Sequence, residues 1–480
     1  MHLQYNPEHG GHVSQNEIDE IGDKIKHGGF VTAGTRAGAT YERTEAKHGR
    51  VVRLSLNTID QNLREIIRDI TIGDEISFAN NILQSNEVNN AARNTNNSEA
   101  LKSLQLWLTD AAVGELPANN SIEKALGWIR VGFTKSKLAF NVYVTALQLT
   151  GIFQSIAVLG LKNFSIGFGK FASSPAANYK MVIGGKGIEG KSKFMNTRYG
   201  LLQTWNRDVA DTTHFLRSSF GPAPTKFKNN VDKMGHLYFY PIAKMQSLVD
   251  VITWMGAYEK GLNEENLSDR DAVFYADTVV ENAQTSGLFS DRSGLERGTV
   301  SMRTRQSQYV RLFTSLISYM LAKGNIAYEK GVRTNFKDPK QFAYFVSDML
   351  LLFTIEGIAS ALLYGQWPGD DDKDESVLGW MAGATLESMA AGIPIIRDFA
   401  SAKYGGGTTP ASSLVIDTYK FYEQVEQLEF DETLVKSGVK VTGTMLHLPS
   451  SQFNRAVEAA FKDAEGDAAW YEYLIGAKEK

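Results

Sequence analysis

The stretch Tyr309-Val-Arg-Leu-Phe-Thr-Ser-Leu-Ile-Ser-Tyr-Met-Leu321 contains the clearest helical pattern in the chain. Its apolar residues recur at intervals of three and four, which places them on one face of an α-helix. The opposite face carries polar residues, namely Arg311, Thr314, Ser315 and Ser318. The pattern therefore predicts an amphipathic helix whose apolar stripe packs against a core.

The same spacing recurs on both sides of this helix. Residues 58–70 form another apolar stripe, which Thr58 can cap, and further helical patterns run over residues 377–392 and 413–428. The sequence shows no convincing alternation of apolar and polar residues and no internal repeat. We therefore predict an all-α protein, an elongated multi-helix bundle.

Breaks in these patterns divide the chain into four predicted regions. Residues 1–50 are rich in glycine, histidine and charge, and they predict an irregular polar arm, extended or poorly ordered. Three helical regions follow, over residues 51–240, 241–368 and 369–480. Residues 86–98 hold six asparagines and are expected to form a loop, as are the acidic run 370–375 and the glycines at 405–407.

Composition limits the classes of protein to which the chain can belong. Of the 480 residues 43% are hydrophobic, so a sizeable core can be buried. The net charge of −4 lacks the basic excess of proteins that wrap duplex DNA, so nucleic-acid contact would need a local patch. Cysteine is absent, which excludes disulfides and cysteine-bound metals. The polar N-terminus has no signal-peptide pattern.

Two apolar stretches raise the question of membrane contact. Residues 138–161 carry no charge over 24 positions, which is long enough to cross a bilayer. Polar residues such as Asn141, Gln148 and Gln154 recur through the stretch and favour a buried core helix over a membrane span. Residues 349–364 are shorter, are interrupted by Glu356 and are also interpreted as core. Contact of either stretch with lipid stays open.

Residues 185–192, Gly-Lys-Gly-Ile-Glu-Gly-Lys-Ser, match the phosphate-loop pattern letter for letter. In such a loop the backbone between Gly185 and Gly190 surrounds a phosphate, Lys191 neutralises it and Ser192 holds magnesium. The fold would also need parallel strands and a strand-terminal acidic residue, and the best candidate, Asp417, lies in a helical pattern. Nucleotide binding therefore remains an alternative hypothesis.

No other catalytic or metal-binding pattern is visible in the sequence. The eight histidines include no His-Glu-x-x-His arrangement, and the Gly-x-Ser-x-Gly nucleophile elbow is absent. The many carboxylates give no reason to pair any two as acid and base. We predict a protein that is not an enzyme and that has no catalytic residue, cofactor or metal.

A local basic stripe follows residue 291. Arg297, Arg303, Arg305 and Arg311 are its candidate contacts to the phosphates of DNA or of anionic lipid headgroups. The competing interpretation is a solvated helix end whose arginines pair with nearby carboxylates.

A series of short pieces occurs in a fixed order between about residue 54 and about residue 460. The pieces are Ile66-Ile-Arg-Asp69, Lys191-Ser-Lys-Phe-Met-Asn-Thr-Arg198, Asn206-Arg-Asp208, Thr253-Trp-Met-Gly-Ala-Tyr-Glu-Lys260, Ala276-Asp-Thr-Val-Val280 with Gln284, Arg297-Gly298, Val310-Arg-Leu-Phe-Thr-Ser-Leu-Ile-Ser-Tyr319, Gly392-Ile-Pro-Ile-Ile-Arg-Asp398 and Leu448-Pro-Ser-Ser-Gln-Phe-Asn-Arg455. Together they resemble the large polyvalent protein-associated domains of phage polyproteins, including C-terminal regions of internal virion and DNA-ejection proteins. In that family Lys191 and Ser192 would fall at the start of a Ser-x-x-Met-x-x-Arg helix.

The resemblance implies a non-enzymatic bacteriophage protein inside the virion that helps deliver phage DNA into the host. Its partners would be other virion proteins and further copies of itself, with phage DNA and the host membrane as additional contacts and no small-molecule substrate. Its location would be the capsid interior and, after infection, the host envelope. An antirestriction or packaging adaptor carried beside the DNA is a second alternative.

Overall fold

A computed structural model describes residues 56–113, 121–185, 188–204, 225–284, 292–299, 306–314, 318–363, 368, 376–390, 410–427, 432–446 and 448–464. Within these ranges the chain is helical apart from short turns and one pair of two-residue strands, which confirms the all-α prediction. The predicted arm over residues 1–50, the acidic run 370–375 and the glycines at 405–407 lie outside the described residues.

The elements follow one another in chain order. The first half holds α1 (Leu56–Gln84), α2 (Asn86–Asn94), α3 (Ser98–Val113), α4 (Ser121–Leu138), α5 (Val142–Leu147), α6 (Gly151–Leu159), α7 (Leu161–Ser173), α8 (Pro175–Ile183), β1 (Gly184–Gly185), β2 (Ile188–Glu189), α9 (Lys193–Thr204) and α10 (Thr225–Asn263). The second half holds α11 (Asp269–Gln284), α12 (Gly294–Arg297), α13 (Gln308–Thr314), α14 (Ser318–Arg333), α15 (Pro339–Met349), α16 (Glu356–Leu363), α17 (Val377–Ala390), α18 (Pro410–Gln427), α19 (Glu432–Leu446) and α20 (Ser450–Ala464). A 3-10 turn, Gln148–Thr150, joins α5 to α6, and a π-helical segment, Leu350–Ile355, joins α15 to α16.

The chain folds into two compact units, each assembled from segments that are distant in sequence. Unit 1 consists of Met1–Ala125, Phe215–Ala223 and Arg292–Arg311. Unit 2 consists of Leu126–His214, Pro224–Asp291 and Leu312–Lys480. This division interleaves the chain, whereas the sequence pattern suggests four consecutive regions.

Unit 1 contains α1, α2 and α3, which pack around Ile76, Leu108, Ala111 and Ala112. The loop predicted over residues 86–98 is wrong for Asn86–Asn94, which form α2. Ser85 caps this helix, since its hydroxyl accepts a hydrogen bond from the Val88 amide at 3.3 Å. The cap and two consecutive alanines, Ala91 and Ala92, offset the low helix propensity of the asparagines.

The core of unit 2 is organised around α10, a helix of 39 residues. Helices α6, α7, α8, α9 and α11 pack against it, and Trp254 and Met255 of α10 are buried among them. Helix α7 crosses α10 very closely, because a Cβ atom at Gly167 would lie only 2.5 Å from the Gly256 nitrogen. The crossing therefore depends on glycine at both positions.

Two further groups of helices belong to unit 2. Helix α15 continues through the π-helical segment into α16, and this long helix packs through Leu352 against Ala157 of α6 and Ile326 of α14. Helices α18, α19 and α20 pack against one another near the C-terminus. Helix α4 joins them through hydrogen bonds from Trp128 to the Met445 carbonyl and between the Ser136 and Ser450 hydroxyls.

The amphipathic stretch Tyr309–Leu321 forms most of α13 and the start of α14. Residues 315–317 lie outside the described residues. On α13 the expected sides are partly exchanged. Arg311 and Thr314, which should be solvated, are buried, whereas Tyr309 and Phe313 are about half exposed. Arg311 turns inward because its methylene groups pack beside Gly298, where a Cβ atom would lie 2.9 Å from the Arg311 Cγ.

Candidate functional site

The phosphate-loop match lies in a tight turn between α8 and α9. Its strands pair antiparallel, with Gly184 opposite Glu189, and no parallel sheet occurs among the described residues. The Lys191 amide donates to the Met181 carbonyl at 2.8 Å, and the Ser192 amide donates to the Val182 carbonyl at 3.2 Å. These amides therefore satisfy carbonyls at the C-terminus of α8, whereas a phosphate loop directs them to its ligand.

Gly190 has a packing role in this turn. A Cβ atom there would lie within 2.3–2.5 Å of backbone atoms of Val182, Ile183 and Gly184. Gly185, by contrast, faces open space. The glycine that completes the motif is thus explained by close approach of two backbone segments.

Both motif side chains contact carboxylates. The Lys191 ammonium lies 2.6 Å from the Asp269 carboxylate and also donates to the Tyr258 hydroxyl. The Ser192 hydroxyl donates to Asp277 at 2.6 Å and accepts from the Met195 amide at 2.9 Å, so it caps α9. Two carboxylates at this position oppose an incoming phosphate.

Asp277 links the turn to the core of unit 2. Its carboxylate also accepts a hydrogen bond from the Trp254 indole at 2.7 Å, and the Trp254 ring stacks on Tyr258. Burial raises the pKa of Asp277, and the hydrogen bonds from Ser192 and Trp254 act in the opposite direction. This arrangement gives Ser192, Trp254 and Asp277 a structural role that involves no ligand.

A second polar network lies deeper in the same core. The Arg198 guanidinium holds the Asp250 carboxylate with two bonds, of 2.8 and 3.3 Å, and both side chains are almost fully buried. Gln246 donates to Asp250 at 2.9 Å and to the Gln284 side chain at 3.0 Å. Gln284 in turn donates to the Gly151 carbonyl at 2.7 Å, which connects α9, α10 and α11 to the start of α6.

Three of the sequence pieces on which the phage resemblance depends contribute residues to these two networks. Residues 191–198, 253–260 and 276–284 meet in one core, although up to 93 positions separate them. Their polar side chains are satisfied by one another through the bonds just described. The pieces therefore encode packing of unit 2, and this is a structural role.

Arg297 occupies the interior of unit 1. Its guanidinium donates to the Arg292 carbonyl at 2.7 and 2.8 Å and to the Trp107 carbonyl at 3.2 Å, and no part of the side chain is exposed. Beside it, Asp110 accepts a hydrogen bond from Thr299 at 2.6 Å. Gly298, in the left-handed region at φ 76°, makes this turn possible.

The predicted basic stripe is consequently not a surface feature at the described positions. Arg297 and Arg311 are buried, and Arg303 and Arg305 lie outside the described residues. The sequence shows positive charge but does not show that backbone carbonyls take up the donors of Arg297. In this conformation a phosphate cannot reach either of the two described guanidinium groups.

Among the described residues two helices are long and apolar enough to cross a membrane, Val142–Leu159 and Pro339–Leu362. Only 33% of the first and 22% of the second are buried, so neither is the enclosed core helix that the sequence predicts. In the first, the polar Gln154 and Ser155 are fully buried while Val142 and Leu149 are exposed. Polar residues are therefore buried beside the apolar Ala157 and Leu159, while part of the apolar surface of this helix remains exposed.

The second helix also combines exposed apolar side chains with a buried charged one. Leu350 and Ile355 are exposed, whereas Glu356 is buried. The Glu356 carboxylate lies 2.8 Å from the ammonium of Lys323 on α14, which also donates to Ser388 on α17. In the sequence Glu356 is recognised only as an interruption of an apolar run, and Lys323 is not among the predicted site residues. The signal was available, since a single charge within an apolar run calls for a buried partner.

Small residues allow α16 and α17 to approach closely. A Cβ atom at Gly357 would lie 2.5 Å from the Ala384 carbonyl and 3.1 Å from the Ser388 Cβ. Ala361, one helical turn beyond Gly357, is also buried. Spacing of small residues at four-residue intervals is typical of helices that associate within lipid.

The described residues contain no cluster of three or more histidine, aspartate or glutamate side chains that could hold a metal ion. An open apolar groove between α19 and α20 is lined by residues such as Leu434, Val439 and Phe453. Exposed apolar side chains also lie on the two long helices. Comparisons with family models, with curated proteins and with solved structures give no match to this chain.

Proposed function

We propose that the chain is a non-enzymatic bacteriophage protein of the internal virion or ejection class, which helps deliver phage DNA into the host. The observation that carries this proposal is the exposure of apolar side chains along Val142–Leu159 and Pro339–Leu362 in unit 2. Helices with outward apolar faces need a covering surface, because large exposed apolar patches mark contact with proteins or membranes.

Contact with other proteins and contact with a membrane both fit the proposed role. Inside a particle, further copies of the chain or other virion proteins would cover the apolar faces. After delivery the host membrane would replace them, at a cost limited by the inward position of Gln154, Ser155 and Glu356. A cysteine-free helical chain has no disulfides to break and many local contacts, which favours refolding after passage through a narrow channel.

Duplex DNA is a secondary partner in this proposal. The chain has a net charge of −4, and Arg297 and Arg311 are interior in unit 1. Any direct contact with DNA would then depend on residues such as Arg303 and Arg305. We expect weak binding in a gel shift that disappears when the salt concentration is raised.

Location tests the proposal directly. An epitope-tagged copy is encoded in the phage genome, purified particles are analysed by mass spectrometry, and freshly infected cells are separated into membrane and soluble fractions. We expect the protein in particles and then in the membrane fraction. Its absence from particles would contradict the proposal. Presence in particles followed by a soluble, DNA-bound fraction would favour the packaging or antirestriction adaptor.

Calorimetry with ATP and magnesium tests the nucleotide alternative. The amides of Lys191 and Ser192 are taken up by carbonyls of α8, so we expect no binding at millimolar nucleotide. Lys191→Ala and its neighbour Lys193→Ala form a matched pair of variants. Binding that is lost in the first and kept in the second would establish the alternative.

A further inference from the structure

We infer that the turn joining α14 to α15 is a docking site for an anionic lipid surface. The segment, called here the aromatic tip, comprises residues 328–344. The inference deepens the proposed function by naming the element that first meets the membrane. It is tested separately, since binding of purified protein to vesicles does not depend on the location of the protein in a particle.

Exposed aromatic side chains dominate the aromatic tip. Four of them, Tyr328, Phe336, Phe342 and Tyr344, are between 47% and 75% exposed. Phe336 packs edge-on against Phe342, with ring centroids 6.4 Å apart, and also against Phe345 at 5.3 Å. Aromatic residues collect at the boundary between lipid and water, where their rings lie among the headgroups.

The aromatic tip is held in place by its own hydrogen bonds. Asp338 caps α15 by accepting from the Lys340 amide at 2.9 Å, and Gln341 accepts from the Asn335 amide at 3.0 Å. An ion pair of 2.9 Å between Lys330 and Asp348 ties α14 to α15. The rings are thus presented by an ordered turn, so little ordering remains to oppose binding.

Charge identifies the partner as anionic. Residues 328–344 contain four cations, Lys330, Arg333, Lys337 and Lys340, against two carboxylates, Glu329 and Asp338. Arg333 pairs with Glu329 at 2.7 Å, but the ammonium groups of Lys337 and Lys340 form no ion pair with a described residue. Each such cation adds to the attraction toward an anionic leaflet.

The helix that follows favours a bilayer over a protein as the partner of the aromatic tip. Pro339–Leu362 begins within the aromatic tip, is 24 residues long and mostly unburied, and is long enough for the hydrocarbon layer. Interfaces between proteins are depleted in lysine. Cations and aromatic rings at the end of an outward-facing apolar helix therefore fit a lipid surface better than a second protein.

Vesicle flotation of the full chain tests the inference. Neutral phosphatidylcholine vesicles are compared with vesicles that also contain phosphatidylglycerol, at low and high salt. We expect flotation with the anionic vesicles that weakens with salt. Replacing Lys337 and Lys340 by glutamate should weaken binding by at least about fivefold per lysine. Phe336→Ser with Phe342→Ser should reduce binding at both salt concentrations.

Matched controls lie on other helices of unit 2. Phe274→Ser removes a ring that is 74% exposed on α11, and Lys180→Glu with Lys193→Glu makes the same change of charge at exposed positions. These variants should float like the wild type. Failure of the wild type to bind either vesicle, or equal losses in the control variants, would overturn the inference.

A labelled chain gives a second readout that does not depend on loss of binding. Because the protein has no cysteine, Phe336→Cys can be labelled alone with an environment-sensitive fluorophore. Its emission should shift to the blue when anionic vesicles are added. A label on Phe274→Cys should not respond, and a shift of the same size at both positions would count against docking through the aromatic tip.

Discussion

Asp277 shows how one carboxylate can set a pH dependence of folding. Burial raises its pKa, so the folded chain holds this proton more strongly than the unfolded chain does. The contribution to stability is therefore complete below the ordinary aspartate value and is lost as pH rises through the folded pKa. Replacement by asparagine removes the titration but keeps an oxygen that can accept from Ser192 and Trp254.

We expect Asp277→Asn to gain stability relative to the wild type between about pH 4 and about pH 7. Urea denaturation followed by circular dichroism at the two pH values measures the difference. Asp277→Leu is the control, because it leaves the buried Trp254 donor without its acceptor and should be about 1–3 kcal/mol less stable than Asp277→Asn at either pH. A constant difference between Asp277→Asn and the wild type would disprove the assigned pH dependence.

Gln154 is a second residue whose effect on the stability of the fold can be measured. It is fully buried on α6, and its side-chain amide finds no hydrogen-bond partner among the described residues. Gln154→Met should therefore stabilise the protein by about 1–2 kcal/mol, since it removes an unsatisfied polar group at similar volume. Gln148→Met, which loses a bond to the Val144 carbonyl, should bring no such gain in thermal denaturation.

Residue identities alone predicted chemistry less well than they predicted structure. The letters of residues 185–192 match a phosphate loop, but spacing cannot show that the Lys191 and Ser192 amides point to carbonyls of α8. Likewise, Arg297 is visibly a cation in the sequence. Its burial depends on carbonyls of Arg292 and Trp107, and the second of these lies 190 positions away.

At the scale of helices, the crossing of α7 and α10 depends on the absence of a side chain larger than hydrogen at Gly167. A methyl group at Gly167 would meet backbone atoms of Ile252 and Gly256 at 2.5 Å, whereas Gly169 on the same helix faces open space. We expect Gly167→Ala to lose about 1–3 kcal/mol by forcing the helices apart. Gly169→Ala should be neutral or stabilising by up to about 1 kcal/mol. Equal thermal stability of the two variants would contradict this packing.

The Lys323–Glu356 pair couples α14 to the long apolar helix. Lys323→Met leaves the Glu356 carboxylate buried without a cation and should cost about 3–5 kcal/mol. Adding Glu356→Leu removes both charges and should restore most of the loss. Urea unfolding of the two single variants and the double variant gives the coupling energy. Simple additivity of the two single losses would show that the pair is not coupled.

Helices were predictable from periodicity, but their surroundings were not. The stripe over residues 309–321 gave a helix, yet it did not show that Arg311 faces inward. The run over residues 138–161 was predicted to be core because polar residues interrupt it. Some of those polar residues are buried, since Gln284 and Thr253 contact Ser155, but apolar residues such as Val142 and Leu149 remain exposed.

For the whole molecule, composition and periodicity were enough to predict an all-α fold. They could not predict the division of the chain into two units, because unit 1 includes residues 292–311, which lie far along the chain from its other helices. That assignment depends on long-range pairs such as Thr299 with Asp110. The pieces that resemble phage proteins are fixed in order along the sequence, and three of them prove to share the core of unit 2.

Contact between lipid and the outward face of Pro339–Leu362 is the part of the proposed function that can be measured most directly. In a chain without cysteine, single labels can be placed at Leu350→Cys and Ile355→Cys on that face and at Phe274→Cys as reference. Quenching by lipids brominated along their acyl chains is then measured with anionic vesicles. We expect strong quenching at positions 350 and 355 and little at position 274. Vesicle-bound protein with no quenching at positions 350 and 355 would contradict it.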